Sequence, residues 1–291
     1  MTHFVIDTTS SIPFHEAGRL GLSMAPQVIV FGEESYLEGV DMDIPAFLQR
    51  LKTSRQLPKT AAPPIECFIE IFQRLVPTGE TIFCLHPSSD VSGTVRSAQM
   101  AAVEFPGADI RIIDTRLIAS PLATVILQAM QWSRDGLDAA DLESKIRAFA
   151  GRGKVYFLVD SLDFLARGGR IGGAQALLGG LLQIKPILVF KDGRVDQYEK
   201  ERTHKHALER LVRIVLEQAP KDGEPYLTVL HAGEPQQGAA LAARLRREFD
   251  LAQDVPVYDM PPAIVTHAGP GILGVVFLLH RPVACGKNPQ T

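Results

Sequence analysis

Up to about residue 150 the chain alternates short apolar runs with longer amphipathic ones, and this alternation restricts the fold more than any other feature. Phe4–Asp7, Met24–Phe31, Thr81–Leu85 and Asp109–Asp114 are short and apolar and are bounded by turn residues, the mark of buried strands. Phe14–Leu20, Ile44–Lys52, Ile65–Leu75, Val95–Phe105, Leu117–Trp132 and Leu137–Ala150 read as helices. Ser120-Pro121 falls in the first turns of one helix, where proline is tolerated, and Asp138 stands as the N-cap of another. Glu33–Val40 reads as an excursion or hairpin, and Pro58–Pro64 as a break in the chain. Parallel strands need a crossover connection, and helices alternating with the strands supply it. The N-terminal part is therefore expected to be an α/β, Rossmann-like, mostly parallel sheet.

After Gly151-Arg152-Gly153 the texture changes. Strand-like runs at Val155–Val159, Ile184–Phe190, Arg194–Lys200, Tyr226–His231 and Pro256–Met260, with a last one ending near Leu279, no longer alternate strictly with helices. Thr203–Gln218 and Pro235–Phe249 are the clear helices, and Lys191-Asp192-Gly193-Arg194 is a tight hairpin turn. This pattern predicts a C-terminal α+β domain with a mixed or antiparallel sheet. At 291 residues the chain suits two domains, 1–152 and 153–280, with a tail at 281–291.

Composition excludes several functions. The chain is 46% apolar, enough for a large core, and its net charge of −3 argues against nucleic acid as a partner. Cys67, Cys84 and Cys285 form no CxxC pair, which suits a reducing compartment and no zinc site. No signal-peptide pattern precedes Phe4, and apolar runs such as Ile272–Leu279 stop short of the ~20 residues a spanning helix needs. A soluble cytoplasmic protein with at most transient membrane contact is expected. HExxH, P-loop and GxSxG patterns are absent, and no GxGxxG follows the first strand, so no cofactor is expected.

Three stretches carry polar or flexible groups in suggestive places. Ser88-Ser89-Asp90-Val91-Ser92-Gly93-Thr94 joins a strand to a helix, where free N–H groups hold carboxylates or phosphates, although a Ser92 or Thr94 cap accounts for it as well. His267 precedes Gly269-Pro270-Gly271, a rigid turn able to fix an imidazole. A structural hydrogen bond is the commoner role of a lone histidine. Arg167-Gly168-Gly169-Arg170-Ile171-Gly172-Gly173 lets backbone approach another surface with two arginines nearby. It is equally a glycine-rich loop between buried helices with its arginines in water.

Taken in order, the pieces resemble the DegV family, bacterial fatty-acid-binding proteins that present lipid to a fatty-acid kinase. The matching residues are Val5-Ile6-Asp7-Thr8-Thr9-Ser10, Thr60 with Pro63, Ser88 to Thr94, and Ile113-Asp114-Thr115. Leu162 through Gly169-Arg170-Ile171, Ile184-Lys185-Pro186-Ile187, Asp192 to Val195 with Arg202-Thr203, and His267 to Gly271 complete the set. The resemblance covers about residues 3 to 279. It implies a non-enzymatic carrier with a long-chain fatty acid between its two domains and the carboxylate at Thr60, Ser92 and His267. Gly93, Thr94 and Gly269 would support those loops. Arg170 and Arg202 would lie at the pocket mouth and serve the catalytic subunit of the kinase. The aliphatic stretches Ala174–Leu182 and Ile184–Phe190 offer walls for an acyl chain. One departure stands out: the family usually has Ser-Gln after the threonine, and this chain has Ala61-Ala62. The rival readings are a small-molecule hydrolase or phosphotransferase using Ser92 or His267, and a regulatory protein whose cleft is merely inherited.

Overall fold

The computed structural model describes residues 2–54, 56–178, 184–219 and 226–278. The expected tail at 281–291, the end of the last strand near residue 279 and the far end of the 174–182 stretch lie outside the described residues.

Thr2–Asp7, Ser23–Ala25, Thr81–His86 and Ile110–Asp114 form a wholly parallel sheet. The Thr2–Asp7 strand lies between Ser23–Ala25 and Thr81–His86, with Ile110–Asp114 at the far edge, so the chain starts inside the sheet and winds outward both ways. Side chains alternate across it as a period of two demands. Val5, Ile82 and Cys84 meet Phe68, Phe72 and Ala98 from helices Ile65–Leu75 and Thr94–Ala102 on one face. Phe4, Ile6, Phe83 and Leu85 meet Leu122, Ile126 and Ile146 from helices Ser120–Arg134 and Ala139–Ala150 on the other. Asp138 caps the latter helix, accepting from the N–H groups of Ala140 and Asp141.

A second sheet of six strands is mixed. Arg194–Glu201, Lys185–Lys191, Gly153–Leu158, Leu273–Leu278 and Tyr226–His231 pair antiparallel in that order, and Val257–Asp259 joins the last of them in parallel. The hairpin turns at Asp192 and Gly193, whose φ of 50° and 78° are the positive pair that a tight two-residue turn requires. One face of this sheet (Tyr156, Leu158, Val189, Val229, Phe277) is covered by helices His204–Gln218 and Pro235–Glu248. The other (Val155, Phe157, Leu188, Phe190, Leu230, Val276) turns to a core shared with the N-terminal part.

Two local expectations change. Met24–Phe31 is two strands: Ser23–Ala25 stays in the parallel sheet, and Val28–Phe31 leaves it after Pro26, which has no N–H for a ladder. The stretch read as a break contains a strand, Lys59–Ala61. It forms a small antiparallel sheet with Val28–Phe31 and Glu34–Leu37, in which Ile29 faces Thr60.

This small sheet is tied to the C-terminal part by Glu38. Its Oε1 accepts the N–H of Ala263 at 2.8 Å, and the Thr8 hydroxyl donates to Oε2. The helix Pro262–Ala268 has a proline on either side of its start and no local side-chain cap, so a carboxylate from elsewhere fills that place. Burial raises the Glu38 carboxyl to about 7, against the bonds to Thr8 and Ala263. The folded protein holds that proton up to about pH 7 and the unfolded chain releases it near 4.5. The stability contributed is thus full below 4.5 and is lost as pH rises through 7. Urea denaturation from pH 4.5 to 8 is expected to lose on the order of 3 kcal/mol from this group, and Glu38→Gln to flatten that slope. An unchanged slope in the variant would assign it to other groups.

Candidate functional site

The parallel strands end together, and the loops leaving them face the mixed sheet across a cavity. Each strand contributes a wall: Thr9 follows the first, Gln27 the second, Val91 and Ser92 the third, and Ile118 and Ala119 the fourth. Open α/β sheets bind ligands at this place, outside the carboxyl ends of strands and at the point where strand order reverses. Val155, Phe157, Phe190, Leu230 and Ile272 close the opposite side, and Leu165, Met260, Ile264 and Ala268 fill the flank. The cavity holds about 830 Å³ of atom-free space, its open side included.

The polar groups gather in one place. Thr60 Oγ1 lies 2.6 Å from His267 Nε2, joining the small sheet to the helix Pro262–Ala268 across 207 residues of sequence. Arg170, beside His267, donates to Gly168 O at 2.7 Å and to Val91 O at 3.3 Å, and Val91 leads directly to Ser92. Ser92 Oγ lies 2.8 Å from Thr94 Oγ1, and Thr94 receives Gln27 Nε2 at 2.8 Å. Thr60, Ser92, Arg170, His267, Gln27 and Thr9 all line the cavity.

His267 is neutral at ordinary pH. Burial pushes its imidazole down to about 4 and the Arg170 cation adds to the fall, against a weaker pull from the Gly168 backbone. Its Nδ1 lies buried against Gly168 without a formed hydrogen bond. A Cβ on Gly168 would stand 2.5 Å from that nitrogen, so the glycine is what lets the ring sit there. Gly269 serves similarly: at φ 87° it faces the Phe164 ring, 2.8 Å from where a Cβ would fall. Gly93 rather than Ser92 or Thr94 occupies the N-cap of Thr94–Ala102, and Ser92 Oγ, one residue further out, accepts only weakly from the first N–H of that helix, at 3.4 Å from Thr94 N. Ala62, in place of a polar residue, lies against Gly93, 3.4 Å from a Cβ built there.

The remaining expected residues fall elsewhere. Arg202 is exposed and does not line the cavity. Arg167 is exposed, whereas Arg170 turns inward, so the glycine-rich loop is not simply a solvated link. Ala174 and Leu177 pack into the core without lining the cavity, and of the 184–190 strand Phe190 is the lining residue. Sequence reasoning missed Gln27, whose one signal is an amide interrupting the apolar run 24–31. It also missed Asp7, buried behind the site, where Thr9 N and Oγ1, Gln27 Nε2 and His86 Nδ1 converge at 2.5–3.1 Å. Among the described residues no cluster of side chains is suited to a metal ion, and no helix is long and apolar enough to cross a membrane.

The sequence profile of the DegV family, described as uncharacterised, matches residues 1–280. A DegV domain-containing protein of Halalkalibacterium halodurans is 34% identical over 278 residues, 95% of this chain and 98% of the relative. One from Streptomyces coelicolor is 36% identical over 274 residues, 94% of this chain and 96% of its own. Two solved structures share the architecture. DegV from Bacillus subtilis, a fatty-acid-binding protein, has a TM-score of 0.85 at 29% identity, with 96% of this chain and 99% of that one covered. A fatty-acid-binding DegV family protein of Streptococcus agalactiae has a TM-score of 0.87 at 27% identity, covering 97% and 99%. With its profile, its relatives and its architecture in agreement over nearly the full length, the chain belongs to the DegV family.

Proposed function

We propose that this chain carries a long-chain fatty acid in the cavity, holds its carboxylate at Thr60, Ser92 and His267, and presents it to a partner kinase. In this reading residues 1–152 supply the loops around the carboxylate, and 153–280 supply His267 and much of the acyl-chain wall. The observation that carries it is the division of the cavity: hydroxyl, imidazole, amide and guanidinium groups at one place, aliphatic and aromatic walls elsewhere. The two relatives of known structure described above are fatty-acid-binding proteins, which supports the same ligand here.

The energetics suit such a ligand. A palmitoyl chain carries about 14 methylenes, worth roughly 11 kcal/mol gross at about 0.8 kcal/mol each. Association and ordering costs offset a substantial part of this. Hydrogen bonds to a charged carboxylate add about 1.5–3 kcal/mol each and fix which end sits where. Arg170 is the one full cation among the lining residues, and it has no carboxylate partner among the described residues. A bound anion therefore meets uncompensated positive charge. On the kinase, a carboxylate oxygen would attack the terminal phosphorus of a nucleoside triphosphate. The acyl–oxygen–phosphorus link would form as the bond to the diphosphate breaks, with no proton transferred. Arg202, on the surface, is available to such a partner.

The hydrolase or phosphotransferase alternative rests on Ser92 and His267, and a serine nucleophile would need the imidazole beside it as base. Ser92 Oγ bonds to Thr94, while His267 Nε2 is engaged with Thr60, so no serine–histidine pair is formed.

Denaturing extraction of purified protein followed by mass spectrometry is expected to yield one fatty acid per chain. An empty extract, with no uptake of added palmitate or oleate, would sink the reading. Ser92→Ala is expected to speed palmitate dissociation about tenfold, one charged-group hydrogen bond's worth. An unchanged rate removes Ser92 from the head-group contacts. At Gly168 φ is −75°, which any residue adopts, but the methyl of Gly168→Ala would stand 2.5 Å from His267 Nδ1 and 3.0 Å from Phe164 O, so His267 must move. A comparable acceleration of palmitate loss is expected, and wild-type retention would argue that His267 takes no part.

A further inference from the structure

The hydrogen bonds behind Ser92 have a direction, and Gln27 sets it. Gln27 is 3% exposed and sits where the chain turns out of the parallel sheet after Pro26. Its Nε2 lies 3.1 Å from Asp7 Oδ1 and 2.8 Å from Thr94 Oγ1. A carboxylate accepts and does not donate, so the amide must turn its nitrogen toward Asp7. The second N–H on the same nitrogen then points at Thr94, and Thr94 Oγ1 is an acceptor there. The proton of Thr94 has Ser92 Oγ, at 2.8 Å, as its partner among the described residues. Ser92 Oγ thus accepts from the Thr94 hydroxyl, and more weakly from the Thr94 N–H at 3.4 Å. Its own proton is left for the cavity it lines.

We propose that Gln27 is a positioning residue that polarises the relay Asp7–Gln27–Thr94–Ser92, making Ser92 a hydrogen-bond donor toward the bound head group. The inference rests on the fatty-acid reading of the site and adds to it a preference in head-group chemistry. A carboxylate, which offers only acceptors, is served by a fixed donor. A fatty alcohol donates or accepts through the same oxygen and is indifferent to the relay's direction. The Thr60–Ala61–Ala62 loop brings a single hydroxyl and no amide, so the polarity at Ser92 comes from Gln27.

The test compares oleate and oleyl alcohol as competitors of a fluorescent fatty acid on delipidated full-length protein. For the wild type, binding of oleate well above oleyl alcohol is expected. Gln27→Leu fills the same space without the amide and leaves the Thr94 and Ser92 hydroxyls free to rotate. Oleate affinity is expected to fall about tenfold while oleyl alcohol changes less than about twofold. Gln27→Glu offers acceptors to Thr94 and reverses the relay, so the ratio of oleate to oleyl alcohol binding should fall further. Equal losses for both ligands in Gln27→Leu would mean a packing role, and unchanged oleate binding would mean none; either overturns the proposal. A wild type that binds neither ligand removes the fatty-acid reading itself, an outcome visible before any variant is made.

Discussion

A buried polar group costs free energy unless it is partnered, and an apolar cavity with a polar end concentrates that cost in one place. Asp7 is how this chain meets it. Standing at the end of the first strand, it receives Thr9, Gln27 and His86, and both it and His86 are wholly buried. Every loop that shapes the polar end is referred to this carboxylate. Thr9 binds it directly, the serine loop through Thr94 and Gln27, and the His267 helix through Glu38, Thr8 and the Gln27 N–H at 3.1 Å. Several hydrogen bonds converging on one buried carboxylate specify a geometry that apolar packing alone would leave loose, although His86 Nε2 has no partner among the described residues.

The second requirement is that the mixed sheet approach those loops closely. Arg116 and Arg194 converge on Asp90 at 2.6 and 3.0 Å, linking the serine loop to the hairpin of the mixed sheet, and both guanidiniums hold the Asp90 carboxyl below its usual range. These groups are well exposed, so their worth lies in register more than in energy. Ser120 and Thr228, 2.8 Å apart and buried, make a second tie. Between such ties the apolar face of Val155, Phe157 and Phe190 stands opposite the strand ends, and the gap left between them is the cavity.

Much of the scaffold was legible in the sequence because it follows from local periodicity. Helices Phe14–Leu20 and Ile65–Leu75 and strand Tyr226–His231 fall where spacing puts them. Lys59–Ala61 was hidden because a three-residue strand flanked by prolines has no period to detect. The split of Met24–Phe31 is marked by Pro26-Gln27, but the apolar residues on either side read together as one strand. The site was legible only as an ordered set of short motifs, since neither Ser92 nor His267 is distinctive alone. Gln27 and Glu38 were beyond reach for a plainer reason. Their contacts span 67 and 225 residues, and no local pattern records a hydrogen bond made at that separation.

The bond between Thr60 and His267 has a further consequence. A pocket whose polar atoms wait unpartnered gains their full desolvation penalty when a ligand arrives, and must repay it when the ligand leaves. Here the Thr60 hydroxyl and His267 Nε2 are partners of one another, drawn together from opposite ends of the chain. Under the proposed function, a head group arriving at His267 would exchange one partner for another, and the grip would fall mainly on the hydrocarbon tail.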